Sequence, residues 1–233
     1  MLPAMQTRQS CRWHVFAAAD ALAHNATDRI LRAAQHAIAR SDAFHIVLAG
    51  GSTPRRIYRE LSQCSTDWSR WHIWFGDERC LPPNATERNS LMAAEAWLDK
   101  VPIPTAQVHV IPAERGPHAA AAAYGKALAG LGAFDLVLLG LGEDAHTASL
   151  FPGHNWGTGA EAPDALAVCD APKPPPERVS LSAHRLAATH ELVFLVSGEG
   201  KRQAVAAWRA GSPLPAAAIA PADGVDILLD FSD

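Results

Sequence analysis

FDLVLLGLGEDAHTASLFPG, residues 134–153, opens with a near-continuous apolar run, turns at glycine, and only then presents charged and polar side chains. Such a run suits a strand buried on both faces, as found in parallel sheets covered by helices. FHIVLAG, residues 44–50, has the same form. Outward from these two, short runs rich in Val, Ile, Leu and aromatics recur at 71–75, 107–111, 166–169, 178–181, 191–197 and 225–229, and read as further strands. Stretches with helical spacing occupy 17–40, 54–63, 87–98, 117–130 and 200–210. The alternation predicts an α/β protein with a mostly parallel sheet, forming a single domain over residues 1–233. Ligands of open α/β sheets sit at the carboxyl ends of the strands. Function is therefore sought after Ala49, Phe75, Leu139 and Val196.

Composition narrows the classes. The chain has 233 residues, 48% hydrophobic and 19% charged, with a formal net charge of −4. That is ample for a sizeable core. No apolar run reaches the roughly 18 residues that span a bilayer, and MLPAMQTRQSCRWH at the N-terminus lacks a signal-peptide core. Cys11, Cys64, Cys80 and Cys169 are widely separated, so free thiols in a reducing compartment are expected, and a cytoplasmic location with them. The absence of a basic run argues against nucleic acid as a partner. A small anion needs only two or three local cations. Lysine occurs only at 100, 126, 173 and 201.

Three strand ends carry the chemistry. The run 44–49 continues into Gly50-Gly51-Ser52-Thr53-Pro54, where glycines allow tight turning, Ser52 or Thr53 can cap a helix, and Pro54 suits its first turn. A loop of this kind aims N–H groups at the positive end of a helix and makes an anion site; an ordinary capped turn has the same sequence. WHIWF is followed by Gly76-Asp77-Glu78-Arg79, which puts a carboxylate and a guanidinium near the same crevice. Asn89 and Ser90 open a helical stretch and are read as caps. Gly140–Ala145 matches G-x-G-x-x-A, but it lies past the middle of the chain and no crossover helix follows. Asp144 and His146 then place a carboxylate beside an imidazole, which with an ordinary pKa of about 6.5 is a base at neutral pH. Lys201 follows a Gly-flanked turn after a buried strand, and Arg178 follows the Pro-dense segment 171–177, which reads either as a flap or as a surface connection. No G-x-S-x-G, P-loop or H-E-x-x-H motif is present, and the other histidines lack ligand spacing, so no metal is expected.

Taken in order, LAGGSTPRRIYREL, WFGDERCLPP, FDLVLLGLGEDAHTASLFPG, ERVSLS and LVFLVSGEGK resemble the 6-phosphogluconolactonase family over nearly the whole chain. The resemblance implies a Rossmann-like α/β fold with helices on both faces. It also implies hydrolysis of 6-phospho-D-glucono-1,5-lactone to 6-phosphogluconate in the oxidative pentose phosphate pathway, without metal or organic cofactor. On that basis His146 activates water, and Asp144 or Asp77 orients the imidazole or the water. Gly50, Gly51, Arg79 and neighbouring backbone N–H groups are candidate oxyanion donors, while Ser52, Thr53, Arg178 and Lys201 would hold the phosphate. The expected partner is a phosphorylated sugar lactone, with the chain a monomer or weak homodimer and no nucleic acid or membrane involved.

Two departures stand out. Ala145 occupies a position that is commonly glycine in the family; if it needs positive φ, its Cβ costs roughly 1 kcal/mol. The family's Ser-Asn pair is inverted here, as Asn89-Ser90. Two alternatives share parts of this pattern. A glucosamine-6-phosphate deaminase-like isomerase would carry a glutamate where this chain has Phe151. A sugar-phosphate-sensing regulator would need a DNA-binding module, for which the sixteen or so residues before the first long helix leave no room.

Overall fold

The computed structural model describes residues 9–232. The first eight residues of the N-terminal stretch read for a signal sequence lie outside them. In chain order the elements are β1 (Cys11–Val15), α1 (Ala19–Ser41), β2 (Phe44–Leu48), α2 (Ser52–Leu61), β3 (Trp71–Phe75), β4 (Asp77–Arg79), α3 (Asn89–Ala96), β5 (Val108–His109) and α4 (Pro117–Leu128). They continue with β6 (Phe134–Gly140), β7 (Ala165–Val168), β8 (Arg178–Leu181), α5 (Ala183–Ala187), β9 (Thr189–Val196), α6 (Arg202–Arg209), α7 (Pro215–Ala218) and β10 (Val225–Leu229). Seven strands form one parallel sheet in the order β1-β10-β9-β6-β2-β3-β5. Its central members are the runs that read as doubly buried: Ile46, Val47 and Leu48 on β2 and Leu136–Leu139 on β6 are shielded from solvent. Helix α1 packs along β2, β6 and β10 through Leu22, Ala26, Ile30 and Ala34, which recur at helical spacing.

Three differences from the sequence reading bear on the site. A second sheet, β4-β8-β7, is antiparallel and was not expected as a unit. The D-E-R triplet is its edge strand, because β8 supplies a pairing partner far downstream: Asp77 lies opposite Ser180 and Arg79 opposite Arg178. The second difference is β1, which makes the run 44–49 the second strand; its alternation of Trp13 with Arg12 and His14 marks an edge strand, not a buried run. The third concerns helix α2, which starts at Ser52 with Gly51 as N-cap at φ 109°, and no side chain caps it. Ser52 and Thr53 thus lie inside the first turn, and the capping role assigned to their hydroxyls is not used.

The two sheets are joined at Gly76. Its N–H donates to Leu48 O (3.0 Å) in the large sheet, and its C=O accepts from Leu181 N (2.8 Å) in the small one. A Cβ there would meet Leu48 O at 3.4 Å and Val47 Cγ1 at 3.5 Å, at the near edge of ordinary contact.

Candidate active site

The carboxyl ends of β2, β3, β6 and β9 and the edge of the small sheet enclose a crevice of about 230 Å³, lined among others by Gly50–Pro54, Asp77, Arg79, Asn89, Gly142, His146, Arg178 and Lys201. Every candidate named from sequence except Asp144 is on that wall, and Asp144 lies directly behind it, bonded to His146. Cavities for drug-sized ligands begin near 300 Å³. This one is of small-molecule size, and the loop after Gly140 leads into the Asp144–His146 turn and not into a helix, unlike a dinucleotide fingerprint. A larger groove of about 810 Å³ beside Trp13, Trp156 and Trp208 contains no carboxylate among its lining residues.

The dyad is built by a tight loop after β6. Gly142 N donates to His146 O (2.7 Å), Ala145 N to Gly142 O (3.0 Å), and Thr147 Oγ1 to Gly140 O (2.8 Å). Ala145 sits at φ 65° and Ala148 at φ 49°, so the positive φ anticipated at position 145 is present and is borne by an alanine. The turn aims both side chains inward, with His146 Nδ1 2.5 Å from Asp144 Oδ1. Burial pushes the Asp144 carboxyl up, but the hydrogen bond and charge of His146, with Lys173 beside it, outweigh burial and hold it at about 2. It is a carboxylate throughout the working range. With Nδ1 committed to Asp144, Nε2 is the ring nitrogen left to exchange a proton. The buried Phe151 ring stacks on the imidazole, centroids 4.9 Å apart.

Asp77 is engaged differently. Its Oδ2 accepts from Ser149 Oγ (2.6 Å) and its Oδ1 from Asn89 Nδ2 (3.0 Å). Of the two aspartates considered as orienters of His146, Asp144 is the one bonded to the ring. Asn89 does not cap α3. The buried Glu78 does so, accepting from Asn89 N (2.8 Å) and Ser90 N (2.8 Å) while paired with the buried Arg88. This frees the Asn89 amide to hold Asp77. It also lies so close to Gly50 that a Cβ there would stand 2.0 Å from Asn89 Oδ1.

Three cations line the crevice: Arg79 and Arg178, which are partners across the small sheet, and Lys201. Arg79 Nη1 donates to Glu87 O, and its buried Nε has no hydrogen-bond partner among the described residues. Lys201 lies in the turn after β9. Arg178, expected as a phosphate ligand, lines the crevice but commits Nε to Pro175 O (3.0 Å) and Nη2 to Lys173 O (2.9 Å). Only Nη1 remains without a bond to those carbonyls. Sequence reasoning missed Ser149, Glu78 and Lys173. Ser149 lies within 134–153, and Lys173, one of four lysines, lies in a segment whose prolines mark it as a loop.

No group of three or more His, Cys, Asp or Glu side chains among the described residues is placed to hold a metal ion. No described helix is long and apolar enough to cross a membrane. A carboxylate-supported imidazole thus shares a small crevice, at the end of a parallel sheet, with several cations and a helix N-terminus that no side chain caps, the arrangement of an enzyme acting on a small anion.

The family model of glucosamine-6-phosphate isomerases and 6-phosphogluconolactonases matches residues 17–228, and the chain belongs to this family. Among its relatives, the 6-phosphogluconolactonase of Mycobacterium leprae is 35% identical over 94% of both chains. That of Mycobacterium tuberculosis is 38% identical over 85% of both. Among solved structures, the 6-phosphogluconolactonase of Trypanosoma brucei superposes with a TM-score of 0.85 at 27% identity, covering 95% of this chain and 97% of the other.

Proposed function

We infer that the protein hydrolyses 6-phospho-D-glucono-1,5-lactone to 6-phosphogluconate, as a cytoplasmic step of the oxidative pentose phosphate pathway that uses neither metal nor organic cofactor. The observation that carries this reading is the Asp144–His146 pair in one small crevice with the N-terminus of α2, which no side chain caps. His146 Nε2 takes a proton from water as the water oxygen bonds to C1 of the lactone. The carbonyl electrons move onto O1, where Arg79 Nε, otherwise without a partner, and backbone N–H groups near Gly50 and Gly51 receive the charge. When the tetrahedral centre collapses, the bond from C1 to the ring oxygen breaks and Nε2–H returns its proton to that oxygen. The 6-phosphate fits the N–H groups and hydroxyls of Ser52 and Thr53, with Lys201 and the remaining Nη1 of Arg178.

The isomerase branch of the family is disfavoured by Phe151. Sugar ring opening there calls for a carboxylate, and a buried phenyl ring stacked on His146 can move no proton. The test is to generate the lactone freshly with glucose-6-phosphate dehydrogenase and follow its decay. Acceleration over spontaneous hydrolysis is expected, with near-complete loss in His146→Ala. No acceleration by the wild-type protein, or full activity in that variant, overturns the reading.

A further inference from the structure

Read as sequence, Ala171–Glu177 is a Pro-dense connection; in the structure it is a strap fastened from below. Ala171 N donates to Pro176 O at 3.0 Å and closes the loop on itself. The buried Arg178 reaches back under it, with Nε on Pro175 O (3.0 Å) and Nη2 on Lys173 O (2.9 Å) and Pro174 O (3.3 Å). One guanidinium therefore ties down three successive carbonyls, two of them from residues with no N–H of their own.

What the strap delivers is Lys173, whose Nζ stands 3.1 Å from Asp144 Oδ2. The other oxygen of the same carboxylate bonds the imidazole. An ammonium on a side chain about half exposed is by itself a weak partner. Here its backbone is anchored by a buried arginine, and the carboxylate it meets is the one that orients the base. A carboxylate held at one oxygen only can rotate; held at both, it keeps the plane in which Oδ1 faces Nδ1. The cation also draws negative charge away from the imidazole and so weakens the hold of Asp144 on the ring proton.

We propose that Lys173 is a positioning residue for the hydrolysis, acting on His146 through Asp144 and not on the substrate. The inference rests on the reading of His146 as the general base. Other charged groups surround the dyad: Arg178 beneath the strap, Asp77 and Arg79 on β4, Lys201 on the crevice wall and Glu143 beside Gly200. Among the described residues only Lys173 and His146 are within ion-pair distance of Asp144.

Lys173→Met keeps the length of the stem and removes the charge; Lys173→Arg keeps the charge. The Met variant is expected to lower kcat about three- to tenfold while KM stays within about twofold of wild type. Its acid limb of kcat/KM should move up by roughly half a pH unit, and Lys173→Arg should restore most of both. An NMR titration of the His146 ring in unliganded protein should move the same way. That measurement needs no turnover, so it reports on Lys173 even if the lactone proves not to be the substrate. A thermal melt of each variant verifies folding. An unchanged ring titration and pH profile in Lys173→Met overturns the proposal. So does a raised KM with kcat retained, which would make Lys173 a substrate ligand.

Discussion

Gly142 lies so close to His146 that a Cβ at that position would stand 2.1 Å from the Nδ1 of the ring and 2.3 Å from Asp144 Oδ1. The dyad occupies the space that a side chain would need. Gly142→Ala should therefore push the imidazole away from Asp144 and lower kcat/KM by about 100-fold, the scale of a displacement near 1 Å in a reacting group. Steady-state kinetics with a melting curve would check it; activity close to wild type would mean that the loop yields and the dyad does not.

Asp144→Asn keeps the shape and loses the acceptor that fixes the tautomer. By analogy with other His-carboxylate pairs, kcat should fall roughly 10²- to 10⁴-fold with KM little changed. A large rise in KM at constant kcat would instead place Asp144 in substrate binding.

Glu78→Gln tests the scaffold. The carboxylate is fully buried, caps α3 and faces the buried Arg88. Removing its charge leaves a guanidinium without its buried counter-ion, a loss expected to cost about 3 kcal/mol of stability. Chemical denaturation measures it directly, and an unchanged midpoint would show that Glu114, which also pairs with Arg88, suffices.

At the far end of the sheet, His45, His72 and His109 stack on one another across β2, β3 and β5, with centroids 4.5 and 5.7 Å apart and Trp74 against His109 at 3.8 Å. Burial, and for His45 and His109 the neighbouring imidazoles, lower all three, His109 to about 4. Between that value and the unfolded value near 6.5, the unfolded chain binds more protons than the folded one. Stability therefore rises with pH across this window and is lost on acidification through it. Denaturation midpoints at pH 7 and pH 5 should differ, and His109→Gln should narrow the gap. Equal gaps in both proteins would remove the histidine stack as the cause.

The parallel sheet was legible because the runs 44–50 and 134–140 are almost continuously apolar and end in glycine, a pattern suited to a strand covered on both faces. The Asp144–His146 pair was legible because a spacing of two within a tight turn leaves few ways to separate the side chains. The antiparallel strip was not, because Asp77-Glu78-Arg79 becomes a strand only through pairing with β8, which no local pattern encodes. The same applies to Glu78 as the cap of α3 and to Lys173 on Asp144: both contacts join segments distant in the chain, and both residue types are ordinarily solvated. Ser52 and Thr53, expected from sequence as phosphate ligands, do line the crevice, but neither caps α2, since Gly51 takes the cap position.

Gly76 stitches the two sheets with one hydrogen bond on each side. The dyad hangs from the large sheet, whereas Asp77, Arg79 and Arg178 belong to the small one. Catalytic competence is thus a property of how the sheets dock and not of either alone. If the proposed site residues act as inferred, a disturbance that loosens the strip is expected to abolish activity before the seven-stranded core melts.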